Sequence, residues 1–500
     1  MHHPHPLPLR HARLLRLALL ALLALAGAPL APRTAAGQAA IAPRWELHGG
    51  LRVRAERWNW FDDGEAGKYL FAGALARLGV ERTGGETGFR LELAAPVLYG
   101  LPDDAVQPAP AGQLGLGATY AAANFGEENA AQLFPKNAYV RFTRSRLRVT
   151  QTLRVGRFEF NDGLEGAPAS STIQAIKRDR IAQRLLGTFG WSHVGRSLDG
   201  AHWSRKENGG DVTVVVAAPT RGVFQADGWG TLPIAVAYGA WTRPVSPWGE
   251  SSAELRLFGL QYADFRDDVV KTDARPLATR AADDDRVQVT TLGGHWVHAI
   301  AGRRGVVDVT LWGAGQAGSW GTQSHRAWAG VAELGVQPTG MSPLKPWLRG
   351  GIAYGSGDGD AADDRHGTFF QVLPTPRPYA RFPFYDMQNT TDVYGIMTLR
   401  PTPRFTLRGE AHGVSLSSAE DLWYSGGGAF QMRSFGYQGR PSGGARNLAR
   451  LLDLSGEFRI TPDFVVTGYV ARARAGRATR AAYPAGESGT LAYVEVERRF

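Results

Sequence analysis

From residue 44 to the C-terminus, apolar and polar residues alternate in short runs bounded by Gly, Pro, Asp and Ser, and helical periodicity is scarce. Eighteen such runs centre near residues 52, 75, 90, 140, 152, 201, 215, 238, 257, 292, 310, 331, 350, 396, 408, 455, 468 and 494. The links between them are brief at places such as Thr83-Gly84-Gly85, Ser145-Arg146 and Thr461-Pro462, and long at 96–135, 159–196, 264–285, 355–390 and 414–449. Roughly 9 to 11 tilted residues carry a strand across a bilayer, and short turns at one end with long loops at the other are the plan of a membrane barrel. The pattern predicts an all-β fold, an 18-stranded antiparallel transmembrane β-barrel with short periplasmic turns and long extracellular loops. An even strand number brings both termini to the periplasmic end.

Residues 1–40 read as a signal peptide. Arg10, Arg13 and Arg16 precede an apolar run from Leu17 to Ala26, small residues follow, and cleavage is expected after Ala39 or Ala40. Residues 41–500 then form one barrel domain. No later run is long and apolar enough for a membrane helix, and no 40-to-50-residue repeat supports a propeller. The absence of cysteine excludes a disulfide framework, a thiolate metal site and a cysteine nucleophile. The last run places Ala492, Val494, Val496 and Phe500 on one face and Tyr493, Glu495, Glu497 and Arg499 on the other. A terminal alternating strand closed by Phe resembles the signal that outer-membrane barrels present to their insertion machinery.

Alternation also sorts residues between lipid and lumen, because an outward Arg or Lys at mid-depth costs about 2–4 kcal/mol. Charges flanked by apolar neighbours must therefore point inward. This places Arg52 and Arg54, with Glu56, in the lumen, together with Arg90 and Glu92, Arg141, Arg154, Glu254 and Arg256, Arg408 and Glu410, Asp453, Glu457 and Arg459. Two readings of this interior stand: a solvated wall braced by ion pairs, or an arginine-rich conduit for an anionic solute. Trp58-Asn59-Trp60-Phe61, Trp241, Trp312, Trp320, Trp328, Trp347 and Tyr493 lie near strand ends, where interfacial girdles are expected. The net charge of +10 falls to +6 without the four leader arginines, and that excess does not by itself choose among anionic partners.

Residues 150–204 contain Leu153-Arg154-Val155-Gly156-Arg157-Phe158-Glu159-Phe160-Asn161-Asp162-Gly163, Arg184-Leu185-Leu186-Gly187, Trp191-Ser192-His193 and Gly195-Arg196-Ser197-Leu198-Asp199-Gly200. Trp347 to Asp358, then Gly367-Thr368-Phe369-Phe370, form a second stretch. Both resemble the alginate-export porins. The resemblance implies an eighteen-stranded outer-membrane channel that passes an anionic polysaccharide such as alginate through a constricted, arginine-rich lumen. Carried over to matching positions, Arg154, Arg157, Asp162, Arg184, Arg196 and Asp199 are candidates for the constriction. Arg157 shares the parity of Leu153 and Val155, so either Gly156 introduces a bulge or Arg157 lies beyond the lipid zone. The basic stretch 173–187 is compatible with a loop folded into the channel and with a solvated external loop.

The expected partners are an anionic polysaccharide, outer-membrane lipid, the insertion machinery and periplasmic export components; nucleic acid, metal, other cofactors and catalysis are not expected. A general small-solute porin is the main alternative. An outer-membrane lipid-modifying enzyme would need a rim Ser/His pair, for which Ser192-His193 is the one candidate. Gly355 to Asp364 and Asp283-Asp284-Asp285 are read as solvated turns rather than calcium sites.

Overall fold

The computed structural model describes residues 43–500 except 62–63, 169, 246–250, 342 and 376–380. The leader expected at 1–40 lies outside the described residues. Eighteen long strands form the wall: β1 (Arg44–Asn59), β2 (Lys68–Thr83), β3 (Thr87–Tyr99), β4 (Phe134–Arg146), β5 (Val149–Phe158), β6 (Leu198–Glu207), β7 (Gly210–Pro219), β8 (Ile234–Val245), β9 (Ser252–Asp264), β10 (Val287–Gly302), β11 (Gly305–Trp320), β12 (Gln323–Pro338), β13 (Trp347–Gly355), β14 (Thr390–Thr402), β15 (Phe405–Leu416), β16 (Asn447–Thr461), β17 (Phe464–Ala475) and β18 (Ser488–Arg499). Each contains one of the eighteen predicted centres. Neighbours pair antiparallel throughout, and β1 pairs with β18 from Gly50↔Arg499 to Asn59↔Thr490, which closes the barrel and leaves no free edge.

The closing seam ends on Phe500, whose backbone exchanges two hydrogen bonds with Gly49 at 2.9 and 3.0 Å. A Cβ at Gly49 would stand 2.5 Å from the Phe500 ring and 2.8 Å from the Arg77 carbonyl oxygen, so the terminal ring covers a position that only glycine leaves open. Gly49→Leu is expected to lift Phe500 off β1 and lower the temperature at which the folded barrel loses its characteristic gel mobility. An unchanged transition would refute this packing.

The two ends of the barrel differ. At the turn end, connections such as 147–148, 208–209, 303–304, 403–404 and 462–463 are tight, whereas the loop end carries 100–133, 159–197, 265–286, 356–389 and 417–446. Gly321-Thr322, between β11 and β12, is an exception: it is a two-residue turn at the loop end, so β10, β11 and β12 form one tall, regular stretch of wall.

Inward positions change character along the strands. In the turn-end half they are charged or polar: Arg52, Arg54 and Glu56 on β1, Arg90 and Glu92 on β3, Glu254 and Arg256 on β9, Glu457 and Asp453 on β16. In the loop-end half the same parity carries Trp58, Leu98, Phe158, Phe258, Leu260, Tyr262, Leu451 and Leu491, all buried. A water-filled interior would leave this apolar half exposed, at a cost of about 25 cal/mol for every Å² not buried. The loops cover it. Two large apolar clusters join wall to loops, one using Ile173, Leu185, Leu186, Phe370 and Leu373, the other Leu114, Tyr120, Trp423 and Phe430.

This arrangement corrects the expected aromatic girdle. Trp58, Trp60, Phe61, Trp312, Trp320, Trp347 and Tyr493 are buried inside, whereas Trp241 and Trp328 are exposed on the outer face. The reason is parity: β11 and β13 turn Trp312, Trp320 and Trp347 toward the loops, where large rings fill the space between wall and loops. The expected solvated turns are exposed at Asp360, Asp363, Asp364, Asp284 and Asp285, but one acid in each is buried. Asp358 is buried beside Asp421, which accepts its backbone N–H at 2.9 Å, and Asp283 pairs with Lys271 and Arg275.

Candidate functional site

The 159–197 loop lies across the inside of the barrel where its charged and apolar halves meet. It leaves β5 and first meets β8 and β9: Arg256 lies 3.5 Å from Asp162 and 3.3 Å from Glu165, and Tyr238 donates to Glu165. A short helix, Ser171–Ile176, follows, capped by the Ser170 hydroxyl accepting from the Ile173 N–H, and it runs into a π-helical turn, Lys177–Ile181. Both turns of chain bury isoleucines inward, and this points the intervening cations at the wall. Lys177 pairs with Glu254 of β9 at 2.7 Å, and Arg180 pairs with Glu333 of β12 at 2.7 Å. Glu333 also accepts from Arg349 at 2.8 Å and from the Tyr394 hydroxyl at 2.6 Å.

The loop then crosses to the opposite wall. Its Leu186 bridges to Leu373 of the 356–389 loop, with Leu373 N–H donating to Leu185 O at 2.9 Å and Gly187 N–H to Leu373 O at 2.8 Å. At β1, Arg52 donates to the carbonyls of Gly190 and Ser192, and Arg54 donates to that of Trp191 at 2.8 Å while pairing with Glu495 and Glu56. Arg54 also stacks on Trp191 and Tyr493. The His193 ring fits against Gly73 of β2, where a Cβ would stand 2.4 Å from it. Buried charge pairs of this kind are costly to assemble, and removing one partner costs about 3–5 kcal/mol. They therefore fix where the loop sits more than they add net stability.

Arg141 and Arg154 lie on the inward face below the loop. Arg141 pairs with Glu81 at 3.3 Å, within a ladder in which Arg90 and Arg77 also bind Glu92. Arg154 donates to His202 Nδ1 and stacks on Tyr139 and Phe158, so its charge meets a neutral acceptor and two rings. Across the lumen Arg408 pairs with Glu410 at 2.5 Å. Arg459 has inward parity but sits at the turn-end rim, more than half exposed, beside Glu457.

The other constriction candidates separate into two groups. Asp162, Arg184 and Arg196 are in the crossing loop; Arg184 stacks on Trp312 of β11. Arg157 and Asp199 are not at the constriction. β5 pairs with β4 and β6 in unbroken register through Gly156, so no bulge turns Arg157 inward. It faces outward near the loop end, pairs with Asp199 at 2.7 Å, and donates to the carbonyls of Pro135, Gly228 and Trp229, which ties the 220–233 loop to the outer rim.

Ser192 and His193 are both fully buried. The serine oxygen accepts from the Gly195 N–H at 2.8 Å, and the His193 ring meets Glu56 at 3.4 Å, so both side chains position the loop. Burial pulls the His193 pKa down to about 4, against the pull of Glu56.

Sequence reasoning missed Glu333 and its partners Arg180 and Arg349. The signal was present, because Glu333 stands between Ala332 and Leu334, the same flanking pattern that placed Arg141 inward.

The model of the alginate-export family matches residues 116–489, which include the crossing loop and fourteen of the eighteen strands in full. The chain belongs to the alginate-export family. No curated protein matches this chain. Among solved structures it is similar to OccAB2 of Acinetobacter baumannii, with TM-score 0.54 at 10% identity over 91% of this chain and 98% of that one. It is also similar to the outer membrane protein OpdK of Pseudomonas aeruginosa (TM-score 0.52, 9% identity, 91% and 99% covered) and to a BenF-like porin of Pseudomonas fluorescens Pf-5 (0.54, 9%, 91% and 98%). At these identities the likeness is one of fold. Family and fold together are those of an outer-membrane channel protein.

Proposed function

We propose that this barrel passes an anionic polysaccharide such as alginate across the outer membrane, with the turn end periplasmic and the 159–197 loop as its constriction. The observation that carries the reading is the charged half of the lumen beneath that loop. There Arg52, Arg90, Arg141 and Arg154 line one wall and Arg381 and Arg408 another, all still partly open to solvent. Arginine rings favour anions in pores. Glu81, Glu92 and Glu410 share several of these guanidinium groups. Such sharing weakens the hold on each carboxylate of a passing polymer, and conduction needs binding that is weak enough to release.

Planar-bilayer recording tests this. Oligomannuronate added to the turn-end side is expected to block current in the wild type, and Arg141→Glu with Arg154→Glu to weaken block by about tenfold per reversed charge, roughly 1.4 kcal/mol each. Equal block by neutral oligosaccharides of the same length would sink the polyanion reading in favour of a general porin for small solutes.

A further inference from the structure

Arg196 closes the crossing loop where it rejoins β6, and it is 2% exposed. One of its nitrogens, Nη2, donates to the Gly427 carbonyl, while Nε and Nη1 have no protein partner. Among the described residues, the ionisable groups that act on it favourably are Tyr437 and Tyr262, neither of them a carboxylate. Nearby, Lys136 adds a second buried cation that donates to Val194 O at 3.0 Å, and the acid paired with it, Glu159 at 4.0 Å, is shared with Arg77. A buried cation without a counter-charge is costly to keep out of water, so Arg196 calls for a negative charge beside it.

Beside it lies a small cavity of about 10 Å³ lined by Phe160, Leu186, Gly187, Arg196, Ser197, Leu198 and Leu373. That volume is the room left to the centre of a water-sized sphere, so a single sphere somewhat larger than a water molecule fits. The Ser197 hydroxyl is committed to Lys136 O at 2.7 Å, and no carboxylate lines the space to repel an anion. A water there would satisfy a donor and leave the charge uncompensated. Phosphate, sulfate or a carboxylate group exceeds the volume.

We propose that Arg196 holds a small monovalent anion of halide size in this cavity, as a structural counter-ion that fixes the return of the crossing loop to the wall. Phe160, Leu186, Leu198 and Leu373 supply the apolar part of the cavity lining.

The test uses the full chain crystallised from detergent in bromide and measured at the bromine absorption edge. An anomalous peak is expected within hydrogen-bonding distance of Arg196 Nε or Nη1, and it should vanish in Arg196→Gln. A second measurement does not need that variant to crystallise. Replacing chloride by gluconate should lower the melting temperature of wild type, as loss of a ligand specific to the folded state requires, and leave Arg196→Gln unmoved. Absence of bromine signal at Arg196 in wild type, a peak that persists in Arg196→Gln, or equal chloride sensitivity of both proteins would each overturn the proposal.

Discussion

Glu333→Ala is expected to open the channel. Glu333 is the acid shared by Arg180 of the crossing loop and Arg349 of the wall, which Asp308 also binds, and without it Arg180 loses this carboxylate and the Tyr394 hydroxyl its acceptor. Removing one partner of a buried ionic network costs about 3–5 kcal/mol. The barrel wall has no comparable dependence on this residue, because its strands are held by continuous backbone pairing from β12 to β11 and β13. The loss therefore falls on the loop's in-folded state. A change of about 3 kcal/mol multiplies an equilibrium constant by roughly a hundred, so a constriction closed most of the time becomes open most of the time. Single-channel recording should show a several-fold rise in mean conductance, and replacement of residues 171–184 by a Gly-Ser linker should reach the same level. Conductance at the wild-type level in Glu333→Ala, with gel mobility of the folded barrel retained, would show that the loop does not gate the pore.

Current should also rise as pH increases from 5 to 8. Burial holds the Asp162 carboxyl up at about 6 against the pull of Arg256, with Glu165 adding to the rise and the Leu185 and Leu186 N–H groups opposing it. Burial lifts Asp386 to about 7, opposed by hydrogen bonds from Gln388, and Asp358 to about 6, where the Asp421 charge adds to the burial. All three are loop residues whose ordinary value is 3.8. Their pKa values are raised in the in-folded state, so the protonated carboxyls favour that state fully below about pH 4, and the preference is lost as pH climbs through 6 to 7. Two units on one group correspond to about 3 kcal/mol. Asp162→Asn keeps an acceptor for the Leu185 and Leu186 amides and removes the titration, so it should stay more closed at pH 8 and show a flatter profile. A wild-type current that falls over the same range would contradict this assignment.

Period-two alternation carried the wall. Every predicted strand centre lies in a strand, and the turns at 84–86 and 462–463 fall at or within a residue or two of their predicted places, because lipid on one side and charge on the other leave each strand one permissible register. Parity likewise placed Arg52, Arg54, Arg141 and Arg154 on the inward face. It also held the answer for Arg157: that residue shares the outward parity of Val155, and with no bulge at Gly156 there was nothing to override the pattern.

The interior was less legible. The apolar inward residues of the loop-end half, such as Phe258 and Leu260 on β9, break the polar-inside rule, and they were the available sign that something apolar fills the lumen there. Strand-end position suggests lipid-facing tryptophans, whereas parity places Trp58, Trp312, Trp320 and Trp347 inside. Nothing local to residues 159–197 says which wall its cations meet: Arg180 and Glu333 are separated by 153 positions, and the sequence does not encode the direction in which a loop leaves the rim.

What the sequence determined by itself is the wall: eighteen strands, their register and the face each side chain takes, since these follow from local alternation against a layered solvent. What only the tertiary structure decided is the inside of that wall, where the crossing loop is positioned by pairs such as Lys177–Glu254, Arg180–Glu333 and Arg54–Glu495, joining segments far apart in the chain. Such pairs form only after the barrel has closed and removed water from around them, so their geometry belongs to the assembled fold.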